Sequence, residues 1–195
     1  MDLRSAIGRE PPRWACVGVG AGFVALAALG ELVIGRRLWG IGGQPGLWSG
    51  DIWSAHNSQY MFDPYSFSHI THGILLYGLA WLIAPGLARG ARAAMAVGME
   101  SAWEVVENTD MVIRRYRAAT ISLNYYGDSV MNSMCDIAAS LVGIALAAVL
   151  PPRATVAVAL ALEVTLALWI HDSLVLNIVM LIRPMHAIAA WQMRH

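Results

Sequence analysis

Lysine is absent from this chain and charge of either sign is scarce. Thirteen basic residues, all arginine, face thirteen acidic ones in 195 residues, for a formal net charge of zero. Such a balance leaves no basic tract for a phosphate backbone, which argues against nucleic acid as a partner, and no acidic tail to solvate a disordered segment. Cysteine is nearly missing too. Cys16 and Cys135 lie in apolar segments without Cys-x-x-Cys spacing, so they read as small buried hydrophobes rather than a disulfide framework or a zinc knuckle.

What the chain has in quantity is apolar sequence. Hydrophobic residues make up 57% of it and the mean hydropathy is +0.54, too apolar for an ordinary soluble domain. Apolar runs near bilayer length recur, and the pattern predicts an all-α, polytopic transmembrane bundle forming a single integral membrane domain over residues 1–195. Five spans are expected, at about 14–35, 66–84, 91–107, 128–150 and 154–170. The first follows a head containing Arg4, Arg9 and Arg13 and is too long for a signal peptide, and its Gly18 and Gly22 have the spacing of a close helix contact. Residues 36–65, with Arg36 and Arg37 at the start and Trp39, Trp48, Trp53, Tyr60, Phe62 and Tyr65 among polar residues, suit an interfacial loop that lids a polar site. The piece from Ser173 to Ile182 is too short to span, so 173–192 reads as an amphipathic, interfacial tail. Arginines divide almost evenly between the two sides, so the positive-inside rule leaves orientation open.

The carboxylates are the most informative residues. Glu100, Glu104 and Glu107 with Asn108 fall within a wedge of roughly 100°, and Asp128, Asn132 and Asp136 within roughly 80°, at the helical angle of about 100° per residue. Hydrocarbon charges about 2.5–3.5 kcal/mol for one Asp at a helix centre, so such a set calls for partners, water or a cation. His69 and His72 stand at i and i+3 near the start of the second span. The short turn through Pro85 and Gly86 makes the second and third spans antiparallel neighbours, which sets the histidines beside the glutamates. These residue types suit a divalent metal: His69, His72, Glu104 and Asp128 are the candidate ligands, Glu107 and Asp136 the candidate general bases, and Asn108 and Asn132 candidate substrate contacts. The same side chains also suit a polar network that only locks helices together. Arg114, Arg115 and Arg117 beside Tyr116, Tyr125 and Tyr126 suit either a lipid phosphate or a purely electrostatic anchor. Glu163 either joins the site or pairs with His171 or an arginine.

Several segments carry a family likeness: Asn57-Ser58-Gln59, Ser68-His69-Ile70-x-His72-Gly73, Trp103-Glu104-x-Val106-Glu107-Asn108, and the run from Arg114 through Ile121-Ser122 to Tyr125-Tyr126-Gly127-Asp128-Ser129. Asn132-Ser133, Asp136, Trp169, Asp172 and Asn177 continue it. The chain resembles a bacterial family of multi-pass inner-membrane proteins catalogued as a domain of unknown function, and the likeness covers most of the sequence beyond Asp51. It implies an inner cell-membrane location and supplies no reaction. Members carry Cys-x-Cys-Gly where this chain reads Gly40-Ile41-Gly42-Gly43, so no thiol role carries over to that loop. A more distant similarity, over Glu104 to Gly143, is to VanZ-like membrane proteins. Two functional classes follow: a metal-assisted intramembrane hydrolase acting on a membrane lipid or headgroup-bearing substrate, or a non-enzymatic membrane protein, either a proton- or ion-coupled transporter or an assembly factor.

Overall fold

The computed structural model describes residues 11–122 and 124–194; Arg4 and Arg9 of the polar head lie outside them. Among the described residues eight α-helices follow one another: α1 Arg13–Val33, α2 Ser66–Ile83, α3 Arg89–Glu107, α4 Asp110–Ala119, α5 Val130–Val149, α6 Pro152–Trp169, α7 Leu174–Ile182 and α8 His186–Gln192. Their ends lie where the local chemistry puts them. Helix α1 closes with Gly35 at φ +88° and the Arg36 amide donating to the Glu31 carbonyl, a six-to-one bond that needs a left-handed residue. Helix α5 opens on Ser129, whose hydroxyl accepts from the Asn132 amide at 3.1 Å, and Pro151 follows its last turn. Proline at the start of α6 loses nothing, because its missing N–H would have no helical partner.

Four helices, α1, α2, α5 and α6, are long and apolar enough to cross a membrane. Helix α3 has 19 residues but carries three glutamates and two arginines. It packs against α1, α2 and α5 rather than standing apart. No strand occurs among the described residues, only an isolated bridge between Trp48 and Phe62.

The closest helix pair is α2 with α5, and glycine makes it possible. A Cβ on Gly73 would lie 2.0 Å from the Ser140 carbonyl oxygen, and one on Gly143 would lie 1.9 Å from that of Ile70. In lipid, where burial of apolar surface gives no drive between helices, such backbone contact is what dispersion requires. The expected contact through Gly18 and Gly22 is not made: a Cβ at either meets nothing within 4 Å. They lie on the exposed side of α1, while Gly20 and Gly30 face Val97 and Val105 of α3.

The 34–65 connection folds over one end of the bundle. Its Arg37 and Leu38 carbonyls accept the Val130 and Met131 amides at the head of α5, and Ser58 accepts that of Ser129. Trp48 stacks on Trp169 at 6.2 Å, tying the loop to the end of α6. The tail folds back as α7 and α8, and Glu163, instead of joining the histidines, accepts the Val175 amide in the first turn of α7 at 3.0 Å.

Candidate functional site

One end of the bundle holds a centre built from three helices. Helix α2 brings His69 and His72, the last turns of α3 bring Glu100, Glu104 and Glu107, and α5 brings Asp136. The α2–α3 turn makes this meeting possible, as the sequence pattern predicts. His69 Nδ1 lies 2.7 Å from Glu100 Oε1 and 3.2 Å from Glu104 Oε1, and its Nε2 lies 3.9 Å from Asp136 Oδ2. His72 Nδ1 stands 3.2 Å from Glu100 Oε2. Glu100 and Glu104 are 0% and 1% exposed, so water does not offset their charge. One ring nitrogen cannot donate well to two carboxylates at once. Glu104 Oε1 and Asp136 Oδ1 accordingly have no hydrogen-bond donor among the described residues.

Two sets of possible ligand atoms gather within 4.8 Å: His69, His72 and Glu100, and His69, Glu104 and Glu107. Of the four predicted ligands, His69, His72 and Glu104 thus stand in these sets. Asp128 does not. Asn108 Nδ2 and the Tyr125 hydroxyl donate to its Oδ2 at 3.0 and 2.9 Å, and its own amide donates to Asn108 Oδ1 at 2.6 Å. Glu100, rather than Asp128, is the carboxylate that stands beside both histidines. Both general-base candidates, Glu107 and Asp136, line the same cavity of about 60 Å³ as His69, His72 and Asp128. Burial, and next the charge of Glu107, push the Asp128 carboxyl up to about 7. Burial likewise raises the Tyr116 and Tyr125 phenols, reinforced by neighbouring carboxylates.

The other sequence candidates are engaged elsewhere. Asn108 also donates to Ser133 Oγ at 3.1 Å, and Asn132 donates to the Tyr60 carbonyl at 2.9 Å, so both amides brace the protein. The three arginines do not converge. Arg114 is exposed and 3.8 Å from Asp110; Arg115 Nε donates to the Leu181 carbonyl at 2.8 Å, capping α7; Arg117 lies over the Tyr126 ring at 4.6 Å. Side chains on neighbouring positions of the short helix α4 point in different directions, which scatters them.

Two features escaped the sequence pattern. Glu31 of α1 is 0% exposed, and among the described residues Ser133 and Arg36 are its polar neighbours, neither at ideal hydrogen-bond geometry. A lone glutamate inside a long apolar helix is the signal that marks it. Asp172, just beyond α6, is ringed by donors from Tyr65 at the head of α2, from α7 and from α8.

Fold and site together define an all-helical protein with a buried histidine–carboxylate centre among helices long and apolar enough to cross a membrane. The chain belongs to the family described as protein of unknown function DUF2585, whose model matches residues 31–194. It is similar to the UPF0314 protein of Paracoccus denitrificans (strain Pd 1222), 47% identical over 184 residues that cover 94% of this chain and 93% of that one. A UPF0314 protein of Rhizobium meliloti (strain 1021) is 47% identical over 91% of this chain and 88% of its own. One from Sphingopyxis alaskensis is 41% identical over 89% and 93%. No solved structure matches.

Proposed function

We propose that this is a multi-pass inner-membrane protein with α3 as a fifth crossing, and that its His69 centre holds a divalent cation and hydrolyses a membrane-derived, headgroup-bearing ester. The observation that carries this reading is the mismatch of acceptors and donors: four carboxylates share two imidazoles, and ligand atoms gather within 4.8 Å. A surplus of buried acceptors suits a cation better than a packing network, because each idle carboxylate in a low-dielectric interior is costly. His69, His72 and Glu100, one of the two sets, would hold the cation, and Glu104, 3.2 Å from His69 Nδ1, would complete the set. Imidazole nitrogen with carboxylate oxygen is a donor set suited to zinc and similar divalent ions, which lower the pKa of a bound water. Glu107 or Asp136, on the wall of the same cavity, takes the proton as the water oxygen bonds to the ester centre, and that proton leaves with the departing alcohol.

Metal analysis of protein purified without chelator tests it. About one divalent ion per chain is expected, lost in Glu100→Gln and Glu104→Gln while both variants stay folded. A wild-type protein that contains no metal and takes none up from zinc, manganese or magnesium overturns the reading. One observation favours a second reading, a proton-coupled transporter: Tyr125 and Asp128 line both the His69 cavity and a larger chamber beside it, forming a polar file between the two. Solute flux that depends on a pH gradient, in proteoliposomes of metal-free protein, would favour that alternative.

A further inference from the structure

Beside the His69 centre lies a chamber of about 520 Å³, within the size range of small-ligand pockets. Its wall is assembled from three separate stretches: the end of α1 with Arg36 and Arg37, the loop residues Trp53, Ala55 and Asn57, and the Tyr125–Asp128 segment before α5. Two guanidiniums and a single carboxylate line the chamber, and the buried Glu31 carboxylate lies behind Arg36 within electrostatic reach. The lining carboxylate, Asp128, turns one oxygen to Asn108 and Tyr125. Arg36 is half-buried and donates through Nη1 to the Tyr126 carbonyl, while its Nε–H, shut away from solvent, finds no acceptor among the described residues. The planar fork of arginine matches phosphate oxygens, and Arg36 and Arg37 both stand on the chamber wall, where their guanidinium groups are the donors a phosphate would meet. Trp53 and Tyr126 are exposed on the chamber wall, the pair of aromatic types that settles at headgroup level in a bilayer.

We propose that this chamber is a phosphate-binding vestibule, in which Arg36 and Arg37 hold the phosphate group of a lipid ester or free phosphate, next to the His69 centre across the Tyr125–Asp128 wall. It deepens the hydrolase reading by naming its substrate class and rests on that reading for its purpose. The binding itself stands on the chamber alone. The site differs from the one that arginine spacing points to, since Arg114, Arg115 and Arg117 scatter over α4 while Arg36 and Arg37 share one cavity.

The test measures binding of short-chain phosphatidic acid, against diacylglycerol of the same chain length, to the full protein in detergent by thermophoresis. Wild type is expected to prefer the phosphate-bearing lipid at least tenfold. Arg36→Lys keeps the charge and loses the fork; Ala55→Trp fills the chamber from an exposed loop position without removing a side-chain hydrogen bond. Each should lose that preference tenfold or more, and Arg114→Lys should stay within twofold of wild type. Equal binding of both lipids by wild type, or wild-type preference in Arg36→Lys and Ala55→Trp together, overturns the proposal. Inorganic phosphate as competitor identifies the source: displacement only at a hundredfold excess supports a lipid phosphate, and displacement at matching concentration supports the free anion, both in this chamber. Metal content read on the same samples separates the two readings. Phosphate selectivity in a protein that takes up no metal sinks the hydrolase alone, and metal without phosphate selectivity sinks the vestibule alone.

Discussion

Asp172 and the His69 centre are both buried carboxylate sites, and they differ in how their oxygens are matched. Asp172 accepts from four donors: the Tyr65 hydroxyl at 3.0 Å, Asn177 Nδ2 at 3.1 Å, and Gln192 Nε2 and the Ser173 amide at 2.9 Å. Those donors come from the head of α2, from α7 with its cap, and from α8, so one side chain latches the tail onto the bundle. Around His69 the proportion is reversed, with three carboxylates, Glu100, Glu104 and Asp136, crowding two rings. A carboxylate with all its partners holds structure. Carboxylates short of donors leave room for something else, and this contrast is what directs the cation proposal to the His69 cluster.

The contrast breaks most visibly at the latch. Asp172→Ala strands the Tyr65, Asn177 and Gln192 donors, each unmade buried bond costing about 1–3 kcal/mol, so a loss of about 3 kcal/mol or more is expected. Thermal unfolding in detergent measures it, with limited proteolysis showing whether 173–194 comes loose first. A destabilisation below about 1 kcal/mol would remove Asp172 from the latch.

The pH dependence of the same site is the next largest effect. Burial outweighs the donors and pushes the Asp172 carboxyl from 3.8 up to about 6. The native state therefore holds this proton more tightly than the unfolded chain. Its contribution to stability is complete below about 3.8 and is lost as pH rises through about 6. At about 1.4 kcal/mol per pH unit, stability should fall by about 3 kcal/mol over that window. Facing groups are the Tyr65 and Tyr116 phenols, both raised by burial, and the Glu163 carboxylate. Subtracting the melting profile of Asp172→Asn isolates the term; a flat difference between pH 4 and 7 contradicts it.

Gly143→Ala acts on the scaffold of the His69 centre. The new methyl would meet the Ile70 carbonyl at 1.9 Å, so α2 and α5 must part, at about 1–3 kcal/mol. Because His69 and His72 ride on α2 and Glu100 and Glu104 on α3, a shift of α2 away from α5 moves the imidazoles relative to the glutamates, and metal affinity should fall along with the melting temperature. Unaltered affinity would show that the centre does not depend on this contact. Glu104→Gln should change stability least, by under about 1 kcal/mol, since it relieves crowding of like charges as it weakens the contact with His69. It should nonetheless cost tenfold or more in metal affinity, measured by titration with a chelating competitor. Unchanged affinity would leave Glu104 in a packing role.

Much of this arrangement is legible in the chain. Apolar runs and proline and glycine punctuation mark the helices, and the turn at Pro85-Gly86 places His69 and His72 beside Glu100 and Glu104. Helical angles put Asp128 on one face with Asn132 and Asp136, yet Asp128 precedes the first turn of α5, so its direction follows the loop and the donors Asn108 and Tyr125. The same limit hid Arg36, which lies outside any helix and is oriented by the Tyr126 carbonyl, far away in sequence.

The sequence by itself determined the helices, their apolar character and the polar faces of α2, α3 and α5, because helix formation and facial pattern depend on residues within a few turns of one another. Tertiary structure decided which polar groups meet: that Glu100 rather than Asp128 joins the histidines, that Asp172 is saturated with donors, and that Arg36 and Arg37 share a chamber while Arg114, Arg115 and Arg117 scatter. Those outcomes turn on the rotation of each helix about its axis and on the path of the loops. Backbone contact at Gly73 and Gly143 and bonds between residues distant in the chain settle both, and no local pattern encodes them.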